Sequence, residues 1–175
     1  LIPATEGQQQ LISELGDRPE QVQARAVLPD VDNMLKISSD GRAGALDLRL
    51  LGRDMPFGES KIEIAADEIA RIHHAHSDDE FLDADGEPHP RRGGFQLVFC
   101  DLGTPGDGAK RPGWNVYAEL RDQLVERGLP RERVRFIHEA ANDRKKAELF
   151  EACRAGEVSV LIGSTSKMGV GTNVQ

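Results

Sequence analysis

The chain has 175 residues, with 22 Lys/Arg against 30 Asp/Glu and a formal net charge of −8; 38% of residues are hydrophobic and the mean hydropathy is −0.47. That size suits one domain, or one domain with a helical extension. No stretch approaches the roughly 18 apolar residues of a membrane span, while apolar runs such as Phe95–Cys100 and Val158–Ile162 argue against full disorder.

Residues 1–94 hold ten Lys/Arg against nineteen Asp/Glu, net −9, whereas residues 95–175 hold twelve against eleven, net +1. A uniformly acidic protein repels nucleic acid. A neutral half with basic points at Arg144, Lys145, Lys146 and Lys167 need not. Cys100 and Cys153 are too few for a disulfide framework and lie in apolar segments, so reduced thiols are expected. Leu1 opens no basic or long apolar leader, and no Met begins the chain, so a fragment of a longer protein is expected.

In chain order, residues 5–16 read as a short helix ended by Gly16 and Pro19. Residues 20–50 are helix-prone but interrupted by Pro29 and Gly41. Residues 60–76 predict a helix opened by a Ser60/Glu63 capping box, with Ile62, Ala65, Ile69 and Ile72 as its apolar stripe. Residues 1–76 thus form a helical extension. Residues 77–94 are acidic and rich in Pro and Gly, and read as a flexible linker.

From residue 95 the pattern changes. Phe95–Asp101 is a strand, followed by a Gly/Pro-rich loop. A helix from about Asn115 carries Val116, Leu120 and Leu124 on one face and stops at Gly128. Val134–His138 is a second strand. Asn142 caps a helix bearing Ala147, Phe150 and Cys153, ended by Gly156. Val158–Ile162 is a third strand, and a Ser/Gly-rich loop runs from it to the last residue. This β-α-β-α-β order predicts an α/β fold, a parallel sheet with helices on both faces. Function is then expected at the carboxyl ends of the strands.

The stretch Gly163–Asn173 is the most unusual. Small residues, hydroxyls, Lys167 and the glycines Gly169 and Gly171 suit phosphate contact. It is not a Walker A loop, whose G-x-x-x-x-G-K-S/T spacing no window provides. His73, His74 and His76 read as a solvated helix end rather than a metal site. Asp83–Gly86 lacks the register of a calcium loop. Asp101 and the pair His138–Glu139 are weak candidates for acid–base chemistry, and no G-x-S-x-G nucleophile turn exists.

Taken together, Phe95–Asp101, Phe136–His138, Arg144 with Phe150, and Val160–Val174 resemble the second RecA-like lobe of superfamily 2 helicases. The tail GSTSKMGVGTNVQ resembles motif V of the Swi/Snf-type branch, and FQLVFCD resembles motif IV. Asp32–Gly52 is similar to the helical region leading into that lobe in large helicase–DNA methyltransferase proteins of phages and mobile elements. The resemblance implies a RecA-like partial lobe over residues 95–175, truncated after motif V. It implies Gly169, Gly171 and Asn173 on the ATP side, and Thr104, Arg144, Ser164, Thr165 and Lys167 against a DNA backbone, with Arg144 also able to support the motif V loop. It further implies ATP and Mg2+ as cofactors of the full-length parent, the first RecA-like lobe and DNA as partners, and a bacterial or phage-encoded cytoplasmic protein. Walker A, Walker B and the arginine-finger motif are absent, so the fragment is expected to be catalytically silent alone. The alternative is a standalone α/β module for a phosphate-bearing ligand or a protein. A transferase using Asp101 has fold analogy as its sole support.

Overall fold

In the computed structural model, residues 2–56, 58, 60–83, 85–106 and 113–168 are described. They divide into two compact units, one built on residues 1–64 and the other on residues 65–107 and 114–175.

The first unit is helical. Helix α1 (Glu6–Gln23) is opened by Thr5 and Gln8 in a reciprocal capping box. It runs through Gly16 and Pro19, where the sequence predicted its end. Pro19 deletes one backbone donor, a local cost of about 3 kcal/mol. Tertiary anchors outweigh it: Arg18 forks onto Asp32 (2.6 and 2.7 Å) and reaches Asp40 at 2.9 Å. Helix α2 (Met34–Leu46), capped by Asn33, likewise runs through Gly41, the expected break. Its Gly44 is where α1 packs: a Cβ there would lie 2.0 Å from Leu11 Cδ2. The buried Gln8 side chain donates to the Gly44 and Ala45 carbonyls (3.0 and 3.3 Å).

After α2, Asp47 is fully buried. It caps the 3-10 turn Leu48–Leu51, pairs with the Arg49 guanidinium and accepts the Ser60 hydroxyl at 2.5 Å. Ser60 in turn caps helix α3 (Lys61–Ala75) by accepting from the Ile62 N–H, while Glu63 accepts from the Ser60 N–H. The expected reciprocal cap between Ser60 and Glu63 is therefore present, with the Ser60 hydroxyl on the second rather than the third N–H of the helix. The buried residues of α3 include Ile62, Ala66, Ile69 and Ala70, with Ala65 and Ile72 partly exposed. The division between the units falls within this helix, between Ile64 and Ala65.

The second unit is mixed α/β. Strands β1 (Gln96–Phe99), β2 (Val134–Phe136) and β3 (Val160–Gly163) form a parallel sheet in the order β1-β3-β2. Leu97 pairs with Leu161 and Phe136 with Ile162. Helix α4 (Val116–Glu126) joins β1 to β2, and helix α5 (Asp143–Arg154) joins β2 to β3. Asn115 and Asn142 cap them as the sequence predicts. Successive strand residues face opposite sides. Leu161 belongs to a cluster with Leu149, Phe150 and Cys153 of α5, so α5 covers its face. Phe136 meets Tyr117 of α4 edge-on at 5.5 Å, so α4 covers the other. Val116, Leu120 and Leu124 are buried as expected, but Ala147 is exposed and Leu149 takes the buried place on α5.

The strands are shorter than predicted: Ile137–Glu139 turns into a 3-10 helix, and β1 ends at Phe99, with the Cys100 N–H making the last bond to β3 at the Gly163 carbonyl (2.9 Å). All four β3 residues are buried, whereas burial alternates along β1. After β3 a helical turn α6 (Thr165–Met168) replaces the start of the expected loop. Residues 77–94 are mostly exposed, yet their backbone is hydrogen-bonded: His89 N–H to Phe81 O (2.7 Å), Asp83 N–H to Glu87 O (2.8 Å) and Gly93 N–H to Asp79 O (3.1 Å).

Candidate nucleic-acid interface

Three strand ends converge at the carboxyl edge of the sheet: Cys100–Asp101 after β1, Ile137–Glu139 after β2, and Ser164–Met168 after β3. Gly163 makes the last approach possible. A Cβ there would stand 2.5 Å from Met168 Sδ and 2.7 Å from Ile137 Cγ2, so only glycine lets the turn fold back onto the core.

The turn is held from two sides. Asp101 accepts both the Thr165 N–H (2.6 Å) and the Thr165 hydroxyl (2.9 Å). Lys146 of α5 donates its ammonium to the Lys167 carbonyl at 2.8 Å. Ser164 is buried, its hydroxyl 3.0 Å from that of Ser166 and its carbonyl accepting from the Lys167 and Met168 N–H groups. Lys167 itself projects outward and makes no ion pair among the described residues. Of the site residues expected from sequence, Ser164, Thr165 and Lys167 thus share one turn. Thr104 lies half-buried in the loop after β1. Arg144 stands apart on α5, with 87% of its side chain exposed and Glu148 as its partner at 3.0 Å. Gly169, Gly171 and Asn173 lie outside the described residues.

Sequence reasoning named Asp101 as a weak acid–base candidate and Lys146 as one basic point among four. It missed that both are braces of the Thr165–Met168 turn. No local signal could have found them: Asp101 reaches the turn because β1 lies beside β3 in the sheet, which the sequence pattern does not report.

Behind the turn, His138 stacks edge-on against Tyr117 at 5.1 Å, and its Nδ1 is buried without a partner. Burial, then the Lys167 charge, pushes its pKa below the usual imidazole range. Tyr117 donates its hydroxyl to the Cys100 carbonyl at 2.5 Å, and burial pushes its pKa up. Burial also raises the Cys100 thiol, and lifts Cys153 to about 11. Both cysteines are free thiols held protonated, which disarms them as nucleophiles. No group of His, Cys, Asp and Glu among the described residues is arranged to hold a metal ion. A cleft of about 210 Å³ lies alongside, lined by Arg135, Glu139, Lys145 and Glu148 among others. Its charges are paired internally: Arg135 with Glu139 at 2.5 Å and Lys145 with Glu148 at 2.9 Å.

The arrangement supplies an outward ammonium beside hydroxyl groups, on a turn fixed to a buried strand. Such groups contact phosphates without reading bases. The unit that carries the turn is mixed α/β with a three-stranded parallel sheet, and no helix among the described residues is long and apolar enough to cross a membrane. No family model, no curated protein and no solved structure matches the chain.

Proposed function

We propose that this chain is part of the second RecA-like lobe of a Swi/Snf-type, ATP-driven DNA motor, and that it is inactive by itself. The observation that carries this reading is the Ser164–Met168 turn at the end of the buried central strand, braced by Asp101 and Lys146, with Lys167 left exposed. A translocating lobe needs a backbone-gripping turn rigidly joined to its sheet, and this turn has that construction. The full-length parent supplies the first RecA-like lobe, ATP and Mg2+, and its fusion to an adenine-specific DNA methyltransferase belongs to the same proposal, as does a cytoplasmic location in a bacterial or phage-infected cell. Thr165 already gives both donors to Asp101, so the phosphate contact falls chiefly to Lys167; Arg144, which stands apart from the turn, and Thr104 stay further backbone-contact candidates on the resemblance alone.

The reading is tested by titrating a labelled duplex with the chain at several salt concentrations. Weak, sequence-independent binding is expected, and Lys167→Ala should lower the salt slope by about one. Binding that survives loss of Lys167 and Arg144 unchanged, or DNA-stimulated ATP hydrolysis by this chain alone, overturns it.

A further inference from the structure

Asp101 lies just beyond β1 and reaches across to the turn that follows β3. Its two carboxylate oxygens each take one donor of the same residue: Oδ1 the Thr165 N–H (2.6 Å) and Oδ2 the Thr165 hydroxyl (2.9 Å). Backbone N–H groups and Ser or Thr hydroxyls are ordinary partners of a nucleic-acid phosphate. An oxyanion with two oxygens side by side suits such a pair of donors. Asp101 therefore stands where two phosphate oxygens would fit. The contact differs from a buried tie. Asp101 and Thr165 are both exposed, so it can be exchanged without opening the core. The turn also has other holds: the Ser164 carbonyl accepts from the Lys167 and Met168 N–H groups, Lys146 donates to the Lys167 carbonyl (2.8 Å), and Met168 is buried. Asp101 spends its charge on the two Thr165 donors, and Lys167 of the same turn keeps its charge without an ion pair among the described residues.

We propose that Asp101 is an autoinhibitory latch: in the free chain its carboxylate occupies the Thr165 donors as a built-in substitute for phosphate, and a backbone phosphate of bound nucleic acid displaces it. This role rests on the turn being a phosphate grip, as proposed above. Lys167 makes the first contact, because its charge is unspent and acts over a distance. A phosphate oxygen then takes the Thr165 hydroxyl, and the Asp101 carboxylate returns to water. No donor is left without a partner in the exchange. Carboxylate contacts at an exposed position are weak enough to be competed for, and the phosphate has the added attraction of Lys167. A motor lobe must release the backbone after each step, and a resident competitor for the same donors shortens the hold.

Titration of a labelled duplex compares the unaltered chain with Asp101→Asn, which keeps the shape and loses the charge. Binding should tighten about tenfold, the scale of one hydrogen bond to a charged group, with the circular dichroism unchanged. A mere brace would leave binding equal or weaker. Asp101→Ala, which offers no acceptor, should tighten it too and decides the matter if Asn keeps hold of Thr165. Loss of a negative charge by itself also favours DNA, so Thr165→Val closes a double-mutant cycle. The gain from Asp101→Asn should shrink when the hydroxyl is missing, whereas a bare charge effect is the same in both backgrounds. Inorganic phosphate is the second probe, followed at the Thr165 amide by NMR. It should give a saturable shift in Asp101→Asn and a weaker one in the unaltered chain. If the duplex binds neither chain while phosphate still shifts Thr165 more in the variant, the motor reading fails and the latch stands. A duplex that binds without tightening in Asp101→Asn and Asp101→Ala, a gain indifferent to Thr165→Val, or a phosphate response equal in both chains overturns the latch.

Discussion

The two units bury their interiors by different means. In the helical unit the most enclosed groups include polar ones: Asp47, Ser60, Gln8 and Glu63 are all buried. Each fixes the position of a backbone group, as Gln8 does for the end of α2 and Ser60 for the start of α3. In the sheet unit the large fully enclosed side chains are Tyr117, Leu124, Leu129, Val134, Ile137, Val160, Leu161 and Ile162, with Ser159 as their one polar companion. Apolar area is non-directional and tolerates adjustment, whereas a buried hydrogen bond holds one geometry and is costly to lose. The helical unit is thus defined by a few points of contact, and the sheet unit by volume. The two should break differently.

The largest effect belongs to the sheet. Leu161→Ala empties the centre of the middle strand and should cost about 3 kcal/mol, within the usual span for buried leucines. Amide exchange should accelerate across β1, β2 and β3 together. Exchange confined to β3 would show that the sheet is not one cooperative body.

Asp47→Ala is the counterpart in the helical unit. It strips acceptors from the Ser60 hydroxyl and from Arg49, and should cost roughly 2–3 kcal/mol, as for hydrogen bonds to a charged group. Asp47→Asn keeps the shape and one acceptor and should cost distinctly less. Urea unfolding of both variants checks the ranking; equal losses would mean that shape, not the carboxylate, matters at this point.

A finer comparison uses two glycines of the same unit. A Cβ on Gly16 meets nothing within 4 Å, while on Gly44 it would meet Leu11 Cδ2 at 2.0 Å. Gly16→Ala should therefore stabilise by up to about 1 kcal/mol through helix propensity. Gly44→Ala gains the same propensity but overpacks the α1–α2 contact, a cost of roughly 1–3 kcal/mol, so its net effect should be destabilising. Melting temperatures moving in opposite directions would confirm that Gly44 is a packing residue; a shared direction would sink that assignment.

These glycines also explain what the sequence concealed. Gly16, Gly41 and Pro19 read as helix breakers because local propensity penalises them, yet the cost of each is smaller than the tertiary anchoring around Arg18, Gln8 and Leu11. By contrast, Asn115, Asn142, Gly128 and Ser60 act on their own neighbours, so their caps and stops were legible. The order of strands and helices was legible for the same reason: each element carries its own apolar pattern. The strand order β1-β3-β2 and the two braces of the Thr165–Met168 turn were not, because Asp101 and Lys146 reach Thr165 and Lys167 across 64 and 21 residues. Local pattern cannot report such pairings. At the candidate interface the sequence could mark the Ser/Thr/Lys cluster but not that Asp101 holds both Thr165 donors.

The smallest expected effect separates the units by pH. All five histidines lie between residues 73 and 138, hence in the sheet unit. Burial first, then neighbouring positive charge, pushes His73 and His138 below the ordinary imidazole range. The unfolded chain then binds these protons more readily than the folded one, so stability is full above the ordinary imidazole pKa. It is lost as pH falls from there towards the lowered folded values, and the loss levels off below them. Exchange measured at about pH 7.5 and 5.5, on either side of the unperturbed value, should show the sheet unit loosening while the helical unit, which has no imidazole, holds. Replacing His138 with Leu should remove part of that loosening. Lys167→Ala should remove a smaller part, because the Lys167 charge is the lesser of the two causes at His138. Loosening of the helical unit over the same interval, or no response of the sheet unit, would break the contrast between them. If Lys167→Ala alone leaves the profile unchanged, then His138 does not sense the exposed turn, and its depressed pKa is a matter of burial.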